Sequence, residues 1–238
     1  MPPQLRVLAE LQGALGVPVQ IGGSFARGEA DEFSDLDLTF APPPSWDVAS
    51  LGGTLVAVQE VQLGPTLLLH ALAYDGTVVD LIPGPPPEGA RGADEFAALA
   101  VTDREILPIE TSVLAEYWTH THKHRKPIGR GLGAMATLGL AHDRTFLMRL
   151  WSLADGHEDP GANLGGIHAM SPLIRRVVTP ARRELLGFPV RTDAELLTAI
   201  EAIQTEVAGL GLSGADRTAN VVRAAFVEFR NRPALESV

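Results

Sequence analysis

The 238 residues include 29 acidic and 19 basic side chains, giving a formal charge of −10, with 45% hydrophobic residues and no cysteine. That length permits one large domain or two small ones with a substantial core. The missing thiols exclude disulfides and thiolate metal sites and fit a reducing compartment, while the negative balance argues against gripping nucleic acid through its phosphates.

Charge is unevenly placed. Residues 1–110 carry 16 acidic and 4 basic side chains, whereas residues 111–238 carry 13 acidic and 15 basic. An acidic half that binds cations, followed by a half able to supply positive charge, is one reading of this asymmetry. The N-terminal stretch MPPQLRVLAELQGAL lacks the basic start and unbroken apolar run of a signal peptide. No segment reaches the roughly 18 consecutive apolar residues of a membrane span, so a soluble cytoplasmic protein without membrane partners is expected.

In chain order, Leu5, Leu8, Leu11 and Leu15 recur at helical spacing and predict a helix over 3–15 that stops near Gly16 and Pro18. A short buried strand follows at 17–21. Residues 35–40 alternate Asp or Thr with Leu, Leu and Phe, the period-two pattern of a strand with one face on the core. Runs at 54–63, 66–74 and 77–82 read as strands, the last two joined by Asp75-Gly76 as a hairpin. PGPPPEGARG (83–92) reads as a turn-rich loop. From about 111 the pattern turns helical, over 111–126, 132–154, 171–186, 193–209 and 214–232. The expected fold class is α/β: a mixed-sheet domain over 1–108, then an all-helical C-terminal bundle over 109–238.

The chemistry concentrates in Gly22–Leu38. Side chains two apart on a strand share a face, so Asp35 and Asp37 point together while Leu36 and Leu38 enter the core. Adjacent carboxylates become stable around a hard divalent cation, and oxygen-only ligands suit Mg²⁺. Asp80, set between apolar residues in VVDLI, is a third acid that would complete such a site, because a carboxylate in a buried strand pattern needs a partner or a metal. Gly22-Gly23 as a turn and Ser24–Arg27 as the first turn of a helix would aim backbone N–H groups and a hydroxyl at one spot, as phosphate-binding turns do. Arg27, the only basic residue between Arg6 and Arg91, can reach a terminal phosphate. Together these features describe a holder for a metal-bound nucleoside triphosphate.

The order Gly22-Gly23-Ser24, Ser34-Asp35-Leu36-Asp37-Leu38 and Val79-Asp80-Leu81 resembles the nucleotidyltransferase superfamily of DNA polymerase beta type. Within it, the pattern is most similar to the small two-domain aminoglycoside and lincosamide adenylyltransferases; the motifs span 17–82, and the helical half matches only in size and general character. The resemblance implies that Gly23 and Ser24 bind the β and γ phosphates of ATP, that Asp35 and Asp37 bind Mg²⁺, and that Asp80 is a metal ligand or the general base. If Asp80 is only a ligand, Glu110 or Glu116 could serve as base. The implied reaction moves AMP from ATP to a hydroxyl of a small molecule, and an acidic surface suits a cationic acceptor. Transfer to a protein or RNA hydroxyl, and a silent nucleotide-binding or toxin–antitoxin-type module, are the alternatives.

The cluster His120-Thr121-His122-Lys123-His124-Arg125-Lys126 admits three readings. His120 and His124 share a helical face and could hold a metal, although the cluster itself contains no supporting Glu or Cys. Lys123 and Lys126, with Arg125 and Arg130, could form a basic patch facing the nucleotide's phosphates. The third reading is a solvated helix end. Tyr117 and Trp118 read as core packing before ring stacking on a ligand, and GRGLG (129–133) as an interhelical turn.

Overall fold

A computed structural model of the chain describes residues 3–96, 104–161 and 167–232. In chain order the elements are α1 (Pro3–Leu15), β1 (Val19–Ile21), α2 (Gly23–Arg27), β2 (Leu36–Phe40), β3 (Leu55–Leu63), β4 (Thr66–Ala73), β5 (Val78–Pro83), β6 (Arg91–Gly92), α3 (Val113–His122), α4 (Arg125–Gly129), α5 (Gly133–Ala154), α6 (Ile167–Val177), α7 (Pro180–Leu186), α8 (Asp193–Gly209) and α9 (Asp216–Arg230). Among the described residues no helix is long and apolar enough to cross a membrane.

The chain divides into two compact units, one comprising residues up to Thr119 together with Ala215–Arg232, the other His120–Gly214. The first holds a six-stranded sheet in the order β3-β4-β5-β2-β1-β6. β2 and β5 run parallel and the remaining pairs antiparallel, so the sheet is mixed. With the helices that follow it, this is the α/β class with a helical C-terminal region.

One face of the sheet is apolar. Val19, Ile21, Leu36, Leu38, Phe40, Leu69, Ala71, Ala73, Val79 and Leu81 are buried in a cluster with Val7, Leu8, Leu11 and Leu15 of α1. The alternation read at 35–40 is realised in β2: Leu36 and Leu38 are fully buried, and Asp37 between them is half-buried on the opposite face. Gly76 takes φ 86°, the left-handed conformation the tight turn between β4 and β5 requires.

α9 joins the first unit through a carboxylate. Glu110 forms an isolated parallel bridge with Ala57 of β3, and its side chain accepts from Arg217 N at 3.1 Å, Thr218 N at 2.9 Å and Thr218 Oγ1 at 2.5 Å. The two backbone N–H groups are among the donors a helix leaves open at its start, and the negative charge also suits the positive end of the helix dipole.

In the second unit, α5 packs against α4, α6 and α8. α8 runs over the residues its pattern predicts and starts with a capping box, Thr192 and Glu195 exchanging bonds with each other's backbone. Two helices expected to be continuous are divided. The stretch 171–186 breaks at Thr179, whose extended backbone and side chain cap α7 ahead of Pro180. The stretch 111–126 ends at His122, and α4 begins at Arg125, because the ring of Pro127 clashes with the Lys123 carbonyl in an unbroken helix. Conversely, the loop expected at 83–92 ends in β6, where Gly92 and Arg91 pair with Gln20 and Ile21; two residues carry no visible period. Tyr117 and Trp118 are buried, as core residues.

Arg149 of α5 is buried and grips Asp159 through two bonds, Nε to Oδ1 at 2.9 Å and Nη2 to Oδ2 at 2.7 Å. That guanidinium holds the Asp159 carboxyl below the usual carboxylate range, against the opposing effect of burial. A carboxyl lowered in the folded state contributes stability above its unfolded value and loses it as pH falls. Asp159→Asn is therefore expected to cost about 1–3 kcal/mol in urea denaturation at pH 7. The gap between variant and parent should shrink progressively below about pH 4.

Candidate active site

The register of the sheet assembles the acids. Asp37 of β2 pairs directly with Asp80 of β5 across the parallel ladder, and Asp80 pairs with His70 of β4 on its other side. His70 in turn pairs with Gln59 of β3. Residues opposite one another share a face, so Gln59, His70, Asp80 and Asp37 form one polar row on the side of the sheet turned away from α1. Asp35 immediately precedes β2 and is half-buried; strand alternation places it with Asp37.

The row ends at the glycine turn. Gly22 N donates to Asp37 O at 2.8 Å, continuing the ladder of β1 beyond Ile21. Gly23 opens α2 at φ 57°, and a Cβ there would overlap the Asp37 carboxylate. Two separate constraints thus demand glycine at 23, a left-handed backbone and a contact with no room for a methyl. Gly22 is extended, φ −105°, and a Cβ would meet its nearest atoms at 3.6 Å. Ser24 lies in the first turn of α2 and is half-buried.

Asp80 has a partner that the sequence reading passed over. His70 Nδ1 and Asp80 Oδ1 lie 2.5 Å apart, with the imidazole buried and its Nε2 without a hydrogen-bond partner among the described residues. The donor to the carboxylate is Nδ1–H, a charge-assisted bond that fixes the orientation of Asp80. The signal for it was in the sequence: the Asp75-Gly76 hairpin is centred on Asp75, so the residues five positions to either side face each other.

Other candidates fall elsewhere. Arg27 ends α2, exposed, with Nε on Glu29 Oε2 at 2.6 Å. Glu110 is occupied at the start of α9 and is a capping residue, not an available base. Glu116 lies in the first turn of α3, half-buried. Lys123 and Lys126 belong to the second unit, Lys123 exposed just beyond α3 and Lys126 half-buried within α4.

Chemically, Asp35, Asp37 and Asp80 offer only carboxylate oxygens, on or beside two adjacent strands at the edge of a glycine turn. This donor set fits a hard cation that prefers oxygen and retains some of its water. Like charges in register destabilise a sheet unless something lies between them, so the residues present fit Mg²⁺.

No family model matches the chain, and no curated protein does. Among solved structures it is similar to an aminoglycoside 6-adenyltransferase from Bacillus subtilis, at 16% identity over 98% of this chain and 100% of that one, with a TM-score of 0.36.

The two glycines give a paired test of the turn. Gly23→Ala is expected to lower stability by about 1–2 kcal/mol, since it strains the backbone and displaces Asp37. Gly22→Ala should melt at or slightly above the parental temperature, as calorimetry of both variants would read.

Proposed function

We propose that the chain is an Mg²⁺-dependent nucleotidyltransferase that moves AMP from ATP to a hydroxyl of a small cationic acceptor and releases pyrophosphate. The observation that carries this reading is the in-register pairing of Asp37 with Asp80, beside a glycine turn that closes on the Asp37 carboxylate. Neither a surface hairpin nor a structural ion pair calls for that juxtaposition.

In this reading Asp35 and Asp37 hold Mg²⁺, which when bound neutralises phosphate charge and steadies the leaving pyrophosphate. The turn at Gly22–Ser24 receives the β and γ phosphates through backbone N–H groups and the Ser24 hydroxyl. Asp80 takes the proton of the acceptor hydroxyl as its oxygen bonds the α phosphorus and the bond to pyrophosphate breaks. His70 keeps the Asp80 carboxylate turned for that transfer. Positioning and charge stabilisation supply most of the acceleration in transfers of this kind. A cationic acceptor, of the aminoglycoside class, suits a half of the chain with 16 acidic and 4 basic side chains.

Pyrophosphate release from ATP and Mg²⁺, assayed across aminoglycosides and lincosamides, tests the proposal. Asp35→Ala and Asp37→Ala should each lower turnover by at least about 10³-fold and weaken Mg²⁺–ATP binding. Asp80→Asn should lower turnover by about 10²–10⁴-fold while leaving Mg²⁺–ATP binding near parental, the signature of a base and not of a ligand. Absence of release with every acceptor, together with Mg²⁺–ATP binding unchanged in the Asp35→Ala/Asp37→Ala double variant, would remove the enzymatic reading.

A further inference from the structure

The second unit contains a polar cluster that the proposed reaction does not use. Asp143 of α5 is fully buried, and two imidazoles converge on its carboxylate. His124 Nε2 lies 2.7 Å from Oδ2, and His120 Nε2 lies 3.5 Å from Oδ1. Thr121 Oγ1 donates to Oδ2 at 3.3 Å, whereas Oδ1 has no hydrogen-bond partner among the described residues. The acidic partner that the histidine cluster lacks in its own stretch of sequence is thus supplied by the next long helix, 19 residues beyond His124.

We propose that His120, His124 and Asp143 form a binding site for a borderline transition-metal ion, Zn²⁺ foremost, with an open fourth position. One ligand atom from each residue lies within 4.8 Å of the others. Bonds of about 2.0–2.1 Å to a tetrahedral ion separate neighbouring ligand atoms by about 3.3 Å. The 3.5 Å between His120 Nε2 and Asp143 Oδ1 matches that spacing and is long for a hydrogen bond. The 2.7 Å at His124 is a hydrogen-bond length; seating the ion exchanges that proton for metal and opens the pair by roughly half an ångström.

The surroundings support a ligand site. Gly139 lies within the 22-residue α5, where glycine costs about 1 kcal/mol against alanine, and a Cβ there would collide with Cε1 of the His124 ring. Removing that side chain admits the ring to the Asp143 carboxylate. The His120 ring packs against those of His142, its centroid 4.6 Å away, and Phe146 at 5.6 Å, which also meet each other, and this packing fixes its plane. His120 Nε2 also lies 3.5 Å from the Gly139 carbonyl oxygen, a contact that an ion bound there would replace. A fully buried carboxylate is expensive unless it is paired or coordinates a metal. The mixed nitrogen and oxygen donors select Zn²⁺ and its neighbours over Mg²⁺ or Ca²⁺. His120 keeps a quarter of its side chain exposed, so an ion enters past it and the fourth position falls to water or a ligand.

The test is independent of nucleotidyl transfer. Tag-free, chelator-treated protein is titrated with Co²⁺, followed by its visible d–d absorption, and with Zn²⁺, followed by calorimetry and melting temperature. The expected result is one ion per chain with tetrahedral Co²⁺ bands and a rise in melting temperature with Zn²⁺. His120→Ala, at a partly exposed position, should keep the far-ultraviolet circular dichroism of the parent and bind at least tenfold more weakly. The Asp35→Ala/Asp37→Ala double variant should bind the ion as the parent does, which separates this site from the acid row. Absence of Co²⁺ bands and of a Zn²⁺ melting shift at micromolar metal would overturn the proposal and leave a purely hydrogen-bonded Asp143. Parental affinity in His120→Ala would overturn it equally.

Discussion

Asp37 and Asp80 stand opposite each other on the only two parallel strands of the described sheet, and much of the first unit is arranged around keeping them there. Carboxylates on neighbouring strands, about 5 Å apart, repel by on the order of 3 kcal/mol at an effective dielectric constant of about 20. A charge-assisted bond such as that from His70 offsets about 1.5–3 kcal/mol. The apolar face beneath, with Leu36 and Leu38 fully buried on either side of Asp37, prevents β2 from slipping register to relieve the repulsion, since a slip by one residue would put carboxylates into the core.

Much of this was legible in the sequence because it follows from period two. The alternation in residues 35–40 placed both acids of that stretch on one face, and VVDLI placed Asp80 on a similar strand, but no pattern in either strand states that the two are neighbours in register. His70 was overlooked because a lone histidine in an apolar run carries no periodic signal; only the symmetry of the Asp75-Gly76 hairpin identifies its partner. Glu110 shows the opposite failure. Its position near the proposed domain junction suggested a catalytic role, and the carboxylate is consumed by the first turn of α9, more than a hundred residues later in the chain.

The second unit follows a different logic from the first. Its helices present apolar residues to one another in the ordinary way, with Leu147, Leu150, Trp151, Ile200 and Ile203 buried, yet α5 also carries Asp143, Arg149 and Ser152 to the interior. Each acquires a specific partner, Arg149 from Asp159 and Ser152 from the Glu158 carbonyl. Helical periodicity predicts the apolar stripe and is blind to these, because a buried polar side chain is tolerated only through a contact that sequence spacing does not encode. The same limit hid the proximity of Asp143 to the histidines.

The bond network at Glu110 has a consequence for how the molecule is made. The described part of the first unit comes from two separate stretches of the polypeptide, with residues 120–214 between them. During synthesis the strands and both acids leave the ribosome well before the helix whose first turn Glu110 must satisfy. Joining Glu110 to α9 closes a loop of about a hundred residues. Long-range closures of this kind slow folding.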